Sequence, residues 1–103
     1  EHIRQSQDQE AIELVKCSMN DSDEHVQVEA IKLVGKIYKI ESLIPLLISK
    51  LNNKSPDIRK AAILSLMQLN IKEALNYLKE LLEVEKDKNV KVIIQLAINK
   101  INS

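Results

Sequence analysis

The most constraining feature of this chain is an internal repeat of about 32 residues. Segments 23–30, 55–62 and 87–94 each have a polar start, a β-branched residue three positions later and a small or apolar residue at position eight. The β-branched markers Val26, Ile58 and Val90 are 32 residues apart. Repeats of this length are typical of arrays in which each unit packs only on its neighbours. The repeat therefore predicts stacked units rather than a closed bundle.

Two helix types alternate within the repeat. After each β-branched marker, apolar residues recur at a spacing that forms one stripe of a helix. A second apolar pattern, at 11–15, 43–47 and 74–78, recurs at offsets of 32 and 31. We call the helices that start at 23, 55 and 87 type A, and those that start at 8, 41 and 71 type B. The predicted helices are 8–20, 23–38, 41–53, 55–69, 71–85 and 87–102.

The residue types at these boundaries support the assignment. Ser55 is a suitable N-cap for a helix that starts at Pro56, and Asp23 and Asp87 occupy the equivalent position. The single glycine and the absence of Phe and Trp argue against a β-sandwich or barrel. Because the connections are short, neighbouring helices should run antiparallel. We expect an all-α, right-handed α-α superhelix (solenoid) of about three helical hairpins, with roughly six antiparallel helices.

The repeat also predicts how the chain is divided. Residues 1–103 form a single solenoid fragment, with partial repeats at 1–22 and 87–103 and repeats at 23–54 and 55–86. Residues 1–7 are expected to be too short and too polar for a full helix. Because the chain starts at Glu1 without an initiator Met, we expect a piece of a longer protein. On the last helix, the stripe of Val90, Ile94, Ile98 and Ile101 is expected to stay uncovered and to favour pairing.

These residues resemble HEAT repeats of the short prokaryotic type, similar to those of phycobilisome-lyase-like proteins. The resemblance rests on Asn53-x4-Ile58-Arg59-Lys-Ala-Ala62 and Asp21-x4-Val26-Gln27-x2-Ala30-x3-Val34-Gly35. It implies a small position at Gly35, where a type B helix approaches closely. It also implies a ladder of turn acids and residues six positions later, here Asp21/Gln27, Asn53/Arg59 and Glu85/Lys91, with Asp21 and Arg59 as a further pair across repeats. Since only Glu85/Lys91 has opposite charges, the ladder is expected to add little stability.

Searching the sequence for reactive groups yields no catalytic constellation. His2 and His25 are far apart and have no other ligands at metal-binding spacing, and Cys17 has no neighbouring base. There is no glycine-rich phosphate loop. We therefore predict a protein that is not an enzyme and has no metal or cofactor. A lone cysteine, and no apolar run of membrane-spanning or signal length, fit a cytoplasmic protein without a membrane contact.

The charges are balanced overall but unevenly spread. The net charge is zero, with −6 over residues 1–29, +5 over 30–60 and +1 over 61–103. Lysines at 32, 36 and 39 form one helical strip, and Lys50, Lys54 and Lys60 follow in sequence. This strip would suit duplex DNA, but lysines without aromatic residues are more typical of an ordinary solvated helix face. Nucleic-acid binding is therefore the runner-up function.

The exposed side of the type B helices is the predicted partner-binding surface, and we expect it to form the concave wall of the superhelix. The candidate residues are Glu13, Lys16, Ile48, Ser49, Asn76, Lys79 and Glu80. Ile48 is either the apolar centre of a contact patch or an isolated exposed isoleucine. Tyr77 either covers a groove there or packs into it. The predicted function is non-catalytic protein–protein interaction or scaffolding. The alternative is a structural stacking segment of a longer solenoid, which includes a homodimer through exposed terminal helices.

Overall fold

The regular structure of the chain is helical wherever it is described. The computed structural model describes residues 2–36 and 41–103, with side chains for residues 9–36 and 41–103. Within these ranges the helices are α1 (His2–Met19), α2 (Glu24–Lys36), α3 (Ile44–Lys50), α4 (Pro56–Gln68), α5 (Leu75–Val84) and α6 (Lys88–Asn102). Single 3₁₀ turns at Glu41–Leu43 and Lys72–Ala74 lead into α3 and α5. The predicted all-α fold class is confirmed.

The N-termini of the type A helices are capped by the predicted residues. The side chains of Asp23, Ser55 and Asp87 each accept a hydrogen bond from a backbone N–H two or three residues later. These bonds satisfy amides that have no partner inside the helix. At the end of α4, Asn70 adopts a φ of 55°, a left-handed conformation that asparagine tolerates better than most residues.

Several helix boundaries differ from the prediction. α1 begins at His2 rather than residue 8, because the polar residues 2–7 contain neither glycine nor proline and include good helix formers. α3 and α5 are shorter than predicted because each is entered through a 3₁₀ turn. The predicted helix 23–38 is confirmed up to Lys36, and its last two positions lie outside the described residues.

The six helices form three hairpins, which together make two layers. α1 packs on α2, α3 on α4 and α5 on α6. We call α1, α3 and α5 the first layer, and α2, α4 and α6 the second layer. Within the second layer, α2 packs against α4 and α4 against α6. The array therefore stacks as predicted, whereas the finer division into repeats at 23–54 and 55–86 stays a prediction.

The second layer contains the closest helix approach in the described core. Ser65 on α4 is buried and donates its hydroxyl to the backbone oxygen of Ile31 on α2, at 2.6 Å. A methyl group added at Gly35 would lie 2.9 Å from the Cα of Ser65 and 2.5 Å from Oε1 of Gln68. Gly35 is therefore a small position set by close contact, as expected. The approaching helix is α4, however, and not the type B helix that was predicted.

The two ends of the array expose apolar side chains, but not those expected. Val90, Ile94, Ile98 and Ile101 are buried against α4 and α5, so the prediction of an uncovered stripe there is wrong. The outer side of α6 instead exposes Val92 and Leu96, at 60% and 56%.

At the opposite end, Val26 is 37% exposed although the equivalent Ile58 is 2% exposed. Ile58 lies on α4, which packs against the second-layer helix before it, α2. Among the described residues, α2 has no such preceding helix. The difference between the two markers therefore follows from position in the array and leaves the repeat intact.

We expect Gly35→Ala to lower the free energy of unfolding by about 1–3 kcal/mol, since the new methyl group must push the α4 backbone away. This loss outweighs the advantage of about 1 kcal/mol that alanine has over glycine inside a helix. Urea denaturation followed by circular dichroism measures the change, with Lys36→Ala at the exposed neighbouring position as the control. Unchanged or increased stability would mean that α2 and α4 lie further apart than described.

Candidate protein-interaction surface

The predicted partner-binding residues lie on three separate first-layer helices. Glu13 and Lys16 on α1 form an ion pair with a 3.6 Å separation. On α3, Ile48 is half-buried, and the exposed Ser49 donates its hydroxyl to the backbone oxygen of Leu46. On α5, the predicted residues are exposed: Asn76, Lys79 and Glu80. All of these side chains retain contact with solvent, so their role in binding stays a prediction.

The two layers differ in how closely their helices pack. Second-layer helices pack directly against one another, whereas α1, α3 and α5 pack mainly on the second-layer helix of their own hairpin. Closer packing of the second layer does not favour a concave first layer, and the concave wall stays a prediction.

The wider spacing of the first layer opens a groove between α3 and α5. Its volume is about 400 Å³, and its lining comprises Glu41, Ile44, Pro45, Ile48, Glu73 and Tyr77. Tyr77 is 48% exposed, so its ring is available to a bound molecule. We call this the α3–α5 groove.

The α3–α5 groove brings together two residues that the sequence singled out separately, Ile48 and Tyr77. Glu13 and Lys16 on α1 are not part of its lining. Sequence reasoning missed Glu73, which lies in the 3₁₀ turn before α5. In the sequence, Glu73 could have been identified only by its position four residues before Tyr77.

A second groove crosses the exposed side of the second layer. It has a volume of about 510 Å³ and is lined by Glu24, His25, Val28, Glu29, Lys32, Asp57, Lys60, Ala61, Leu64 and Ile93. Its two lysines lie beside acids of their own helices, Lys32 at 3.9 Å from Glu29 and Lys60 at 3.5 Å from Asp57. We call this the second-layer groove; it has mixed rather than single-sign charge.

The structure places part of the predicted basic strip beside acids and buries one of its lysines. Lys32 and Lys60 are next to acids, Lys36 and Lys54 are exposed, and Lys39 lies outside the described residues. Lys50 is buried in α3. A DNA backbone needs several lysines that are accessible from one side. The described lysines therefore give little support to nucleic-acid binding.

An ion pair links the second hairpin to the third. Nε and Nη2 of Arg59 donate to the two carboxylate oxygens of Glu85 at 2.8 and 2.7 Å, and the side chains are 15% and 2% exposed. Nη1 of Arg59 also donates to the backbone oxygen of Asn53 at 2.9 Å. The partner of Arg59 is therefore Glu85, and not Asp21 or the Asn53 side chain. The Arg59–Glu85 pair was not among the predicted ladder pairs, and removing one of its partners would leave a buried charge. That the ladder as a whole adds little stability stays a prediction.

The contacts of Glu85 shift its titration. Burial by itself raises the pKa of the Glu85 carboxyl. The hydrogen bonds from Arg59 and from the Asp87 backbone, together with the Arg59 charge, outweigh burial and hold this pKa below its usual value. The pair therefore stabilises the folded chain in the ionised form of Glu85.

A buried lysine occupies the corresponding place between the first and second hairpins. Nζ of Lys50 donates to Oδ1 of Asn20 at 3.1 Å and to Oε1 of Gln27 at 3.5 Å. Both partners are neutral amides, and burial lowers the pKa of Lys50. The first two hairpins are thus linked by charge-to-amide hydrogen bonds, where the second and third are linked by an ion pair.

Within the described residues, no three His, Cys, Asp or Glu side chains converge on a point that could hold a metal ion. Cys17 is a free, exposed thiol and His25 is exposed, while the side chain of His2 lies outside the described residues. In the same ranges, no helix combines the length and apolar character needed to cross a membrane.

Stacked helical hairpins whose second-layer helices pack on one another define a helical-repeat solenoid. A family model described as HEAT repeats matches residues 11–99, and the chain belongs to this family. The predicted family is therefore confirmed.

A curated relative gives a longer match. The chain is 29% identical over 101 residues to the bilin biosynthesis protein MpeU of Synechococcus sp. (strain WH8020). The match covers 98% of this chain but 34% of that protein. No solved structure matches the chain.

We expect Glu85→Gln to lower the free energy of unfolding at pH 7 by about 1–3 kcal/mol, because it leaves Arg59 without its charge partner. Since the folded-state pKa of Glu85 is depressed, its contribution is complete above the unfolded value of about 4.3 and is lost as the pH falls through the folded value. The stability difference between wild type and variant should therefore shrink in acid.

Urea denaturation at several pH values measures this difference, and Glu83→Gln, at an exposed position in the last turn of α5, is the matched control. A difference that is independent of pH would contradict the assigned ionisation of Glu85.

Proposed function

We propose that this chain is a non-catalytic protein-interaction module and that its partner docks in the α3–α5 groove. The observation that carries the proposal is the pairing of Ile48 with the half-exposed Tyr77 across an open groove. Aromatic and aliphatic side chains in such a setting are the usual anchors of protein interfaces. The surrounding candidate residues, Asn76 and Glu80 among them, would form the polar rim.

The free thiol of Cys17 supports a reducing, cytoplasmic setting.

The chemistry of the groove favours one kind of occupant. Its lining includes the apolar residues Ile44, Pro45 and Ile48 and the carboxyl group of Glu73, and none of the described lining residues is basic. A partner segment that carries an apolar side chain next to a lysine or arginine would complement both features. The second-layer groove offers no comparable preference, because its acids and bases already neighbour one another.

The match to MpeU suggests the process in which such a module takes part. MpeU is described as a bilin biosynthesis protein, and this chain corresponds to about a third of it. We propose that the shared part supplies protein contacts, whereas any chemistry on a bilin depends on the part of such a protein that this chain does not match. Covalent bilin transfer to an acceptor protein by this chain alone would refute that division of labour.

The test is site-specific photo-crosslinking in an extract of the source organism. A photoreactive phenylalanine analogue replaces Tyr77 in one sample and Lys32, in the second-layer groove, in a matched control. We expect one protein to be captured at position 77 and not at position 32, and mass spectrometry identifies it. Capture from position 32 alone would reject the α3–α5 groove as the docking site.

The purified partner then allows a quantitative check. We expect Ile48→Glu to weaken binding at least tenfold, because a charge replaces the apolar anchor and also repels the complementary segment of the partner. Glu10→Gln, at an exposed position of α1 outside the groove, should leave the affinity unchanged. Isothermal titration calorimetry measures both variants, and equal affinities for wild type and Ile48→Glu would overturn the proposal.

A further inference from the structure

A second recess lies at the other end of α3 and α5. Its volume is about 320 Å³, and its apolar lining residues are Leu51, Leu81 and Val84. Leu51 lies three residues after Ile48, which is about one helical turn further along the chain. Leu81 likewise follows Tyr77 by four residues, again one turn along the same helix face. The recess therefore extends the α3–α5 groove toward the turns that lead into α4 and α6, and we call it the turn recess.

The turn recess is basic, whereas the other end of the groove is acidic. Lys54 and Lys86 line the turn recess, and both side chains are exposed. The two lysines are 32 positions apart and occupy equivalent places in successive turns. Among the described lining residues the only acid is Glu85, which is paired with Arg59 at 2.7 Å. The two lysines therefore set the sign of the charge that a bound molecule meets there.

The carboxyl group of Glu73 lies at the opposite end of the groove. The neighbouring Lys72 donates to the backbone oxygen of Ile101, so its ammonium group is held at α6. Glu73 and Lys86 lie just outside the two ends of α5, which has 10 residues. At about 1.5 Å per residue, the two charges are roughly 20 Å apart along the groove.

The spacing of side chains along α5 matches that of an extended peptide. Glu73, Tyr77 and Leu81 are four residues apart, which corresponds to about 6 Å along a helix. In an extended chain every second side chain points the same way, at intervals of about 6.6 Å. An extended heptapeptide with four side chains on the groove side therefore reaches from Glu73 to Lys86.

We propose that the partner segment binds in an extended conformation along the α3–α5 groove and the turn recess. Its basic residue lies at Glu73, and an acidic residue lies between Lys54 and Lys86. Two apolar residues between them contact Tyr77 and Leu81. The opposite charges at the two ends of the groove fix the direction in which the segment lies.

This inference rests on the proposed function and adds to it the conformation of the segment, its acidic end and its direction. The groove and the turn recess lie between the second and third hairpins. The inference therefore does not depend on what covers either end of the array.

NMR titration of the ¹⁵N-labelled chain with a synthetic peptide tests the proposal. The probe is the heptapeptide Lys-Ser-Leu-Ser-Val-Ser-Asp, with both termini blocked so that only its side chains carry charge. We expect it to shift the amide resonances of Tyr77 and Lys86 in the same titration. The matched control peptide ends in Asn instead of Asp, and we expect it to bind about two- to fivefold more weakly.

Protein variants assign this difference to the turn recess. In the double variant Lys54→Gln/Lys86→Gln, the two peptides should bind equally, because the charges that attract the Asp side chain are gone. Lys79→Gln removes a lysine from an exposed position of α5 outside the turn recess, and there the difference between the peptides should persist. Equal binding of the two peptides to the wild-type chain would overturn the proposal.

The possible results separate this inference from the proposed function. Shifts at Ile48 and Tyr77 with equal affinities for the two peptides contradict the acidic end and leave the α3–α5 groove as the docking site. The absence of any shift at millimolar peptide also overturns the inference, whereas photo-crosslinking at position 77 decides the proposed function independently. Shifts at Lys86 without shifts at Tyr77 count against both.

Discussion

The packing of α2, α4 and α6 against one another is the contact on which the rest of the structure depends. A helical hairpin of this length has too little apolar area to fold alone, and its buried stripe must be covered by the next hairpin. Ser65 and Gly35 allow α2 and α4 to approach closely. Because the second layer is so close, the first layer spreads apart. The α3–α5 groove is therefore a consequence of how tightly the opposite layer packs.

The connections between hairpins show two ways of holding neighbouring turns together. The second and third hairpins share the Arg59–Glu85 ion pair, which satisfies several hydrogen-bonding groups of the guanidinium. The first and second share a buried lysine with neutral amide partners. A buried charge without an opposite charge is less favourable, which is why burial lowers the pKa of Lys50. The two junctions therefore differ in their polar contacts, with an ion pair at the second and a lysine held by neutral amides at the first.

The sequence was sufficient to predict the helices and their N-caps, because both depend on the spacing of residues close together in the chain. The 32-residue period located the helices, and Asp23, Ser55 and Asp87 cap them as expected. The partner of Arg59 and the closer packing of the second layer were not predictable in the same way. Both depend on which residues meet across hairpins, and a pattern within one helix does not contain that information.

The candidate site was partly predictable for a related reason. Ile48 stood out because it breaks the polar pattern of its helix face, and Tyr77 because aromatic residues are rare in this chain. That the two face one groove follows from the spread of α3 and α5, which only the packing of the other layer determines.

The uncovered ends show the limit of helix periodicity most clearly. A stripe at i, i+4 and i+8 identified Val90, Ile94 and Ile98 as apolar, and each is buried. In a stacked array, each second-layer helix needs two apolar sides, one for the hairpin before it and one for the hairpin after it. The side left open on α6 is the one that carries Val92 and Leu96, and on α2 it is the one that carries Val26 and Leu33. Only a comparison of equivalent positions across all three hairpins separates the two sides.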